Sequence, residues 1–203
     1  MADSVPDTIP IPPLLTLGNP QLARPATAVD AATIATSAFQ ERLELLLRAM
    51  TEYLGIGIAA PQIGWFERLF VMALQREGAD GSPEPVLEYW INPEIVTVSE
   101  ELNWAWEGCL SVPGLRGWIR RPAAVAVRGH DARGEAVSRE LAGWEARVFQ
   151  HEYDHLDGML LPYRAQDPRH LVMSEQLECR EEWPDDWPAP GARDAPLGDV
   201  VVL

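Results

Sequence analysis

Apolar residues recur at helical spacing in two stretches of the chain. From Ser37 onward, Phe39, Leu43, Leu46 or Leu47, Met50 and Tyr53 or Leu54 fall on one face, with Ser37 placed as N-cap and Gly55 as the stop. A second helix is expected over about residues 144–157, where Trp144, Val148, His151 and His155 share a stripe and Gly158 follows as the terminating residue. Between the two the period changes. Residues 68–74 and 86–98 read as strands, the second interrupted at Asn92-Pro93 because proline cannot donate to a ladder. Residues 123–127 and 135–138 read as a hairpin across 129–134. The short apolar run Leu14-Leu15-Thr16-Leu17 meets the turn signal Gly18-Asn19-Pro20. Helices and antiparallel strands in separate blocks give an α+β expectation: antiparallel sheets packed around a central helix, the one near Trp144.

The ends of the chain differ from its middle. Residues 1–13 are proline-rich and read as an extended arm. Residues 175–199 carry eight acids against two arginines and four prolines, so a helix end running into a mobile acidic tail, residues 176–203, is expected. Residues 14–175 remain as the globular unit. At 203 residues and 47% hydrophobic, the chain fits one domain whose core needs no disulfide. It has no apolar run of about 18 residues, and its first residues lack the basic and apolar regions of a secretory signal. A cytoplasmic setting is therefore expected, with no membrane attachment.

Charge narrows the partners further. The net charge is −15, from 31 acidic against 16 basic residues, and all the basic ones are arginine. Such a balance repels phosphate backbones and anionic lipid, so direct nucleic-acid binding is not expected.

The sharpest local pattern is His151-Glu152-Tyr153-Asp154-His155. Residues four apart on a helix lie about 5–6 Å apart at Cβ, close enough for two imidazoles to reach one cation. Glu152 follows the first imidazole directly, placed to take a proton from water that a divalent cation has acidified to a pKa of roughly 7. On a helix face expected to be buried, two imidazoles without partners would be costly, and a metal satisfies them. The third ligand is less determined. Leu161 stands where a metzincin would have its last histidine, and Glu175 and Glu178 keep a gluzincin arrangement open. Cys109, in Glu107-Gly108-Cys109-Leu110-Ser111, is the better candidate, since a thiolate suits a transition metal, although alone it would read as a core residue.

The segment Gly55-Ile56-Gly57-Ile58-Ala59-Ala60-Pro61-Gln62 superficially fits a dinucleotide fingerprint. It follows a helix instead of a strand, and Pro61 spoils the helix that should come next. It reads instead as a glycine-relieved extended edge on which a peptide can lie as an added strand, with Gln62 offering an amide donor.

Taken together, these three segments, in this order, resemble the signature motifs of the peptide deformylases. The resemblance covers about residues 14–165 and includes Ile91-Asn92-Pro93 and the run from Ser111 to Gly117. It implies hydrolytic removal of the formyl group from N-formylmethionyl peptides and nascent chains in a bacterial cytoplasm, in proximity to the ribosome. It implies one divalent metal held by Cys109, His151 and His155, Fe(II) by family habit, with nickel, cobalt or zinc as substitutes. Glu152 would be the base and then the acid, and the Gln62 side chain and Leu110 backbone N–H the oxyanion hole. Ile56, Gly57 and Gly108 would pair with the substrate backbone, and Arg116 would lie near its path. Trp144 and Val148 are candidate walls of the methionine pocket, and Glu107 with Arg121 a pair that braces the site. Two other readings start from the same residues: a zinc endopeptidase sharing only the histidine helix, and a non-catalytic metal-stabilised binding module.

Overall fold

The computed structural model describes residues 9–77 and 82–196. Its first long helix, α2 (Ser37–Glu52), follows the single turn α1 (Ala31–Ile34) and buries Phe39, Leu43, Leu46 and Met50 on one face. The cap is Thr36, one residue earlier than expected: Thr36 is still extended, so its Oγ1 can accept from the Phe39 N–H at 3.3 Å, whereas Ser37 is already helical. The stop also shifts by one. Leu54, not Gly55, takes the left-handed conformation at φ 58°, and the Gly55 N–H reaches back to Met50 O at 2.9 Å. Residues 9–13 of the expected arm lie along this helix, with Ile11 against its apolar face and Tyr53 Oη donating to Pro12 O at 2.9 Å.

Five antiparallel strands form the larger sheet: β1 (Gly57–Ala59), β2 (Leu69–Glu77), β3 (Pro83–Val98), β6 (Ala124–His130) and β7 (Ala136–Ala142), in the order β1-β2-β3-β6-β7. The interruption expected at Asn92-Pro93 is a bulge inside one continuous strand. Asn92 sits at φ 50°, the register slips between Ile91 and Glu94, and the Asn92 amide bonds both the N–H and the C=O of Val29 at 2.8 Å. At the other end β1 pairs only with β2, Gly57 opposite Met72, and leaves its outer edge unpaired within the sheet.

A second sheet, β4 (Leu102–Gly108), β5 (Leu115–Pro122) and β8 (Leu171–Met173), has no counterpart in the hydropathy pattern. The reason lies in its inward face, which carries Asn103, Glu107 and Arg121; polar residues point to the centre, and the alternation is inverted. Its other face presents Trp104, Trp106 and Trp118, with ring centroids 5.3–5.9 Å apart.

Between the sheets runs α3 (Gly143–Leu156), packed on both, so the expected central helix is present. Val148, Phe149 and Leu156 join Phe70, Met72, Trp90 and Val127 in one core cluster. Beyond its C-terminal end Gly158, at φ 73°, passes so close to Ala23 that a Cβ would come within 2.7 Å of backbone atoms. The short helix α4 (Leu161–Arg164) follows, and Leu161 packs beside Cys109.

The acidic C-terminal segment departs from expectation. Rather than leaving the globule, it forms α5 (Ser174–Glu178) and one further turn at 180–182, then folds over the tryptophan face of the second sheet. Leu177 and Ala192 are buried there, Trp183 packs against Trp106, and Trp106 Nε1 donates to Ala192 O at 2.9 Å. Its acids face solvent while its few apolar residues cover the tryptophans, a division that composition averages away. The last residues of the expected tail, 197–203, lie outside the described part. No helix among the described residues is long and apolar enough to cross a membrane.

Candidate metal centre and active site

Three elements deliver the candidate residues to one place. The end of β4 carries Glu107 and Gly108, and Cys109 follows it directly; the inner face of α3 carries His151, Glu152 and His155; β1 and the turn after it carry Gly57 and Gln62. Cys109 Sγ lies 3.4 Å from His155 Nε2, and the ligand atoms of Cys109, His151 and His155 all fall within 4.8 Å of one another, buried. A sulfur and an imidazole nitrogen sharing one tetrahedral cation, at about 2.3 and 2.0 Å, stand about 3.5 Å apart. His151 donates through Nδ1 to Glu107 Oε2 at 2.9 Å, and its buried Nε2 has no hydrogen-bond partner. An imidazole so oriented presents a bare lone pair to the cluster, and a metal is what satisfies it. Cys109, His151 and His155 therefore fit a divalent cation. Glu175 and Glu178, which kept the gluzincin arrangement open, are not in the cluster; they belong to α5, against the second sheet.

Electrostatics at the centre follow from burial. It pushes the Cys109 thiol up, with Glu152 and Glu107 adding to the rise and the Ser111 and Val112 N–H groups opposing it. Burial likewise holds the His155 imidazole well below its ordinary value, helped by His151 and Arg121, so that ring is neutral and ready to ligate. Glu152 is fully buried, neither carboxyl oxygen has a partner, and desolvation raises it well above the usual carboxylate range, Arg121 opposing. Glu107 goes the other way. Burial penalises its charge, but Arg121 and the His151 hydrogen bond outweigh that and hold it well below the usual range.

Gly57 and Gly108 shape the walls by lacking a side chain. A Cβ on Gly57 would sit 2.3 Å from Glu152 Oε1, and one on Gly108 would sit 2.7 Å from Arg116 Nη1. Arg116 therefore folds across Gly108, and is half-buried there. Gln62 is fully buried with its amide orientation set: Oε1 accepts from the Ala59 N–H at 2.7 Å, and Nε2 donates to Ser111 Oγ at 3.2 Å, leaving its second N–H. Leu110 follows Cys109 directly and is buried. The carbonyl of Ile56 is used inward by the Ala73 N–H at 2.7 Å.

Two expectations about α3 change. Trp144 is 41% exposed on the first turn and stands outside the buried stripe, which begins at Ala146; Val148 is sealed in the core beneath it. The side chain that turns toward the metal ligands from this part of the helix is Arg147, which the hydropathy pattern passes over because charge reads as solvent-facing. Arg147 is 2% exposed and donates to Glu107 Oε1 at 2.5 Å. The Glu107–Arg121 pair is present as expected, bidentate at 2.7 and 2.9 Å, and extends to Asp154, which Arg121 Nη1 reaches at 2.9 Å and Arg164 grips from α4. Helical spacing offered a signal for Arg147 and Asp154, at four residues before and three after His151, but nothing in composition says that those charges are buried.

Residues 11–170 match the polypeptide deformylase family. Peptide deformylase 1 of Nitrosomonas europaea is 36% identical over 180 residues, covering 87% of this chain and 99% of that protein. The peptide deformylase of Thermotoga neapolitana is 40% identical over 163 residues, covering 79% and 90%. Among solved structures, the Thermotoga maritima peptide deformylase superposes with a TM-score of 0.68 at 36% identity, over 78% of this chain and all (100%) of that one. A class I type b enzyme from Acinetobacter baumannii bound to Met-Ala-Ser gives 0.70 at 32% identity, over 76% and 98%. With likeness of this extent in sequence and in fold, and a buried Cys-His-His cluster suited to the metal on which that chemistry depends, the chain belongs to the polypeptide deformylase family, hydrolases that remove the formyl group from N-terminal formylmethionine.

Proposed function

We propose that the chain releases formate from N-formylmethionyl ends of nascent chains, with Cys109, His151 and His155 holding one divalent cation and Glu152 moving the proton. The observation that supports this most directly is the 3.4 Å approach of Cys109 Sγ to His155 Nε2, with the unpartnered His151 Nε2 completing the triangle. When bound, the cation supplies Lewis acidity toward the formyl carbonyl and makes water a nucleophile near neutral pH. Fe(II) is the proposed native ion, with zinc, nickel and cobalt as substitutes.

Glu152 accepts the proton of the attacking water and returns it to the leaving amine. A carboxyl that desolvation has pushed up suits both halves of this task, since it holds a proton more readily than an exposed glutamate. Gln62 Nε2, whose orientation Ala59 and Ser111 set, and the Leu110 N–H face the developing oxyanion; each such donor is typically worth about 3–4 kcal/mol. The substrate backbone runs as an added strand along the unpaired edge of β1, against Ile56, Gly57 and Gly108, and Arg116 meets it farther along. Trp144, exposed above the buried Val148, forms the rim of the methionine pocket. The catalytic unit is residues 14–175, with 1–13 as an arm and 176–203 as an added segment, working in a bacterial cytoplasm near the ribosome.

Anaerobic metal analysis combined with formate release from a formyl-methionyl peptide tests this reading. One metal per chain and metal-dependent formate release are expected, with Glu152→Ala keeping the metal and losing turnover. Cleavage of internal peptide bonds without formate, or turnover retained in Glu152→Ala, would overturn it.

A further inference from the structure

The Glu107 carboxylate has four acceptor positions, and all four are taken. Oε1 receives Arg121 Nε at 2.7 Å and Arg147 Nη1 at 2.5 Å; Oε2 receives Arg121 Nη2 at 2.9 Å and His151 Nδ1 at 2.9 Å. Arg121 already pairs with this carboxylate in bidentate geometry, and Asp154, the other acid it touches, is also held by Arg164. A second buried guanidinium is therefore not required for charge balance, and burying one is costly unless its donors are used. Those of Arg147 are used widely. Nη1 also reaches Ile119 O on β5 at 3.1 Å, and Nη2 bonds Asn103 of β4 twice, at 2.5 Å to Oδ1 and 3.0 Å to the backbone carbonyl.

What Arg147 adds beyond Arg121 is a link between elements. Arg121 comes from β5, whereas Arg147 comes from α3, four residues before His151, so both side chains leave the same helix face one turn apart. Arg147 and His151 both end on Glu107, which stands near the end of β4, two residues before Cys109. The helix that carries two of the metal ligands is thus clamped at two points to the strand end that carries the third. We infer that Arg147 is a positioning residue of the metal centre, which sets the spacing between Cys109 and the two histidines through Glu107, Asn103 and Ile119. This rests on the metal reading proposed above.

Co(II) serves as the probe, with affinity read by chelator competition and geometry by the thiolate-to-metal charge-transfer band. Arg147→Met is expected to bind Co(II) about 10- to 100-fold more weakly, with the band shifted, as is usual when a group supporting a ligand is lost. Arg147→Lys keeps the charge but cannot span Asn103, Ile119 and Glu107 together, and should fall between, about 5- to 10-fold weaker. Phe149→Leu serves as control: it loosens the same helix from the core without touching Glu107, and should lower the melting temperature while leaving Co(II) affinity as in the parent chain. Co(II) affinity in the Arg147 variants within about twofold of the parent, or lowered no more than in Phe149→Leu, overturns the inference. If Arg147→Met does not fold, Arg147→Lys decides by the same criterion. A parent chain that itself binds no Co(II) refutes the metal reading instead, so the two failures are distinguishable.

Discussion

Glu107→Gln isolates the charge at the centre of the buried network while preserving its shape. Glutamine keeps one acceptor oxygen and replaces the other by an NH2 group, which would face donors on the side that now holds either Arg147 or His151. Glu107 is fully buried, and Arg121 and Arg147 are 4% and 2% exposed, so water cannot make up the loss. Breaking a buried pair from one side typically costs about 3–5 kcal/mol. A domain of this size is stable by about 5–15 kcal/mol, and each kcal/mol moves its melting temperature by about 2–4 °C, so a fall of roughly 6–20 °C is expected. Thermal unfolding of the metal-free forms at pH 7 measures that fall, and urea unfolding the free-energy gap. The pH dependence carries a sign. The native carboxyl is held below its ordinary value of 4.5, so its contribution is present in full above pH 4.5 and is lost as pH falls through the native value. The gap between parent and variant should therefore be widest at neutral pH and close in acid. The exposed pair Arg128–Glu94 provides the contrast, since its removal should leave the urea midpoint unchanged. A gap below about 1 kcal/mol at pH 7, or one that does not narrow in acid, would mean that Glu107 is not the charged anchor described above.

Gly57→Ala should abolish most turnover while the chain still folds and binds metal, because the new methyl meets Glu152 Oε1 at 2.3 Å; activity within twofold of the parent chain would contradict that packing. Gln62→Ala should lower kcat by about 100- to 1000-fold, with a much smaller effect on KM, as expected of a donor that acts on the developing oxyanion; steady-state formate release decides. In the metal-free chain the native carboxyl of Glu152 lies above its ordinary value of 4.5, so folding retains a proton that the unfolded chain gives up. Its contribution is complete below pH 4.5 and is lost as pH rises toward the native value, so Glu152→Gln should gain stability relative to the parent as pH is raised. Parallel stability curves for the two would refute this.

Local periodicity made the two long helices, the 124–142 hairpin and the histidine pair legible, because each depends on residues within a few positions of one another. His151 and His155 face the same way in any α-helix, whatever surrounds it. The boundaries were less legible: Thr36 and Leu54 replace Ser37 and Gly55 because backbone dihedrals, not residue type alone, choose the cap and the stop. The second sheet was missed because each of its faces answers to something distant. Asn103, Glu107 and Arg121 point toward α3, and Trp104, Trp106 and Trp118 toward the tryptophan face that the C-terminal segment covers.

The chain by itself determined which atoms can ligate and which carboxyl can move a proton, since those are properties of residue type at helical spacing. Only the tertiary structure brought Cys109 to within 3.4 Å of a histidine 46 residues away. Only it turned Arg147 inward and seated the acidic segment on tryptophans. A charged side chain can be buried when partners from other elements meet its charge and its donors, and no stretch of sequence contains that information until the elements have met.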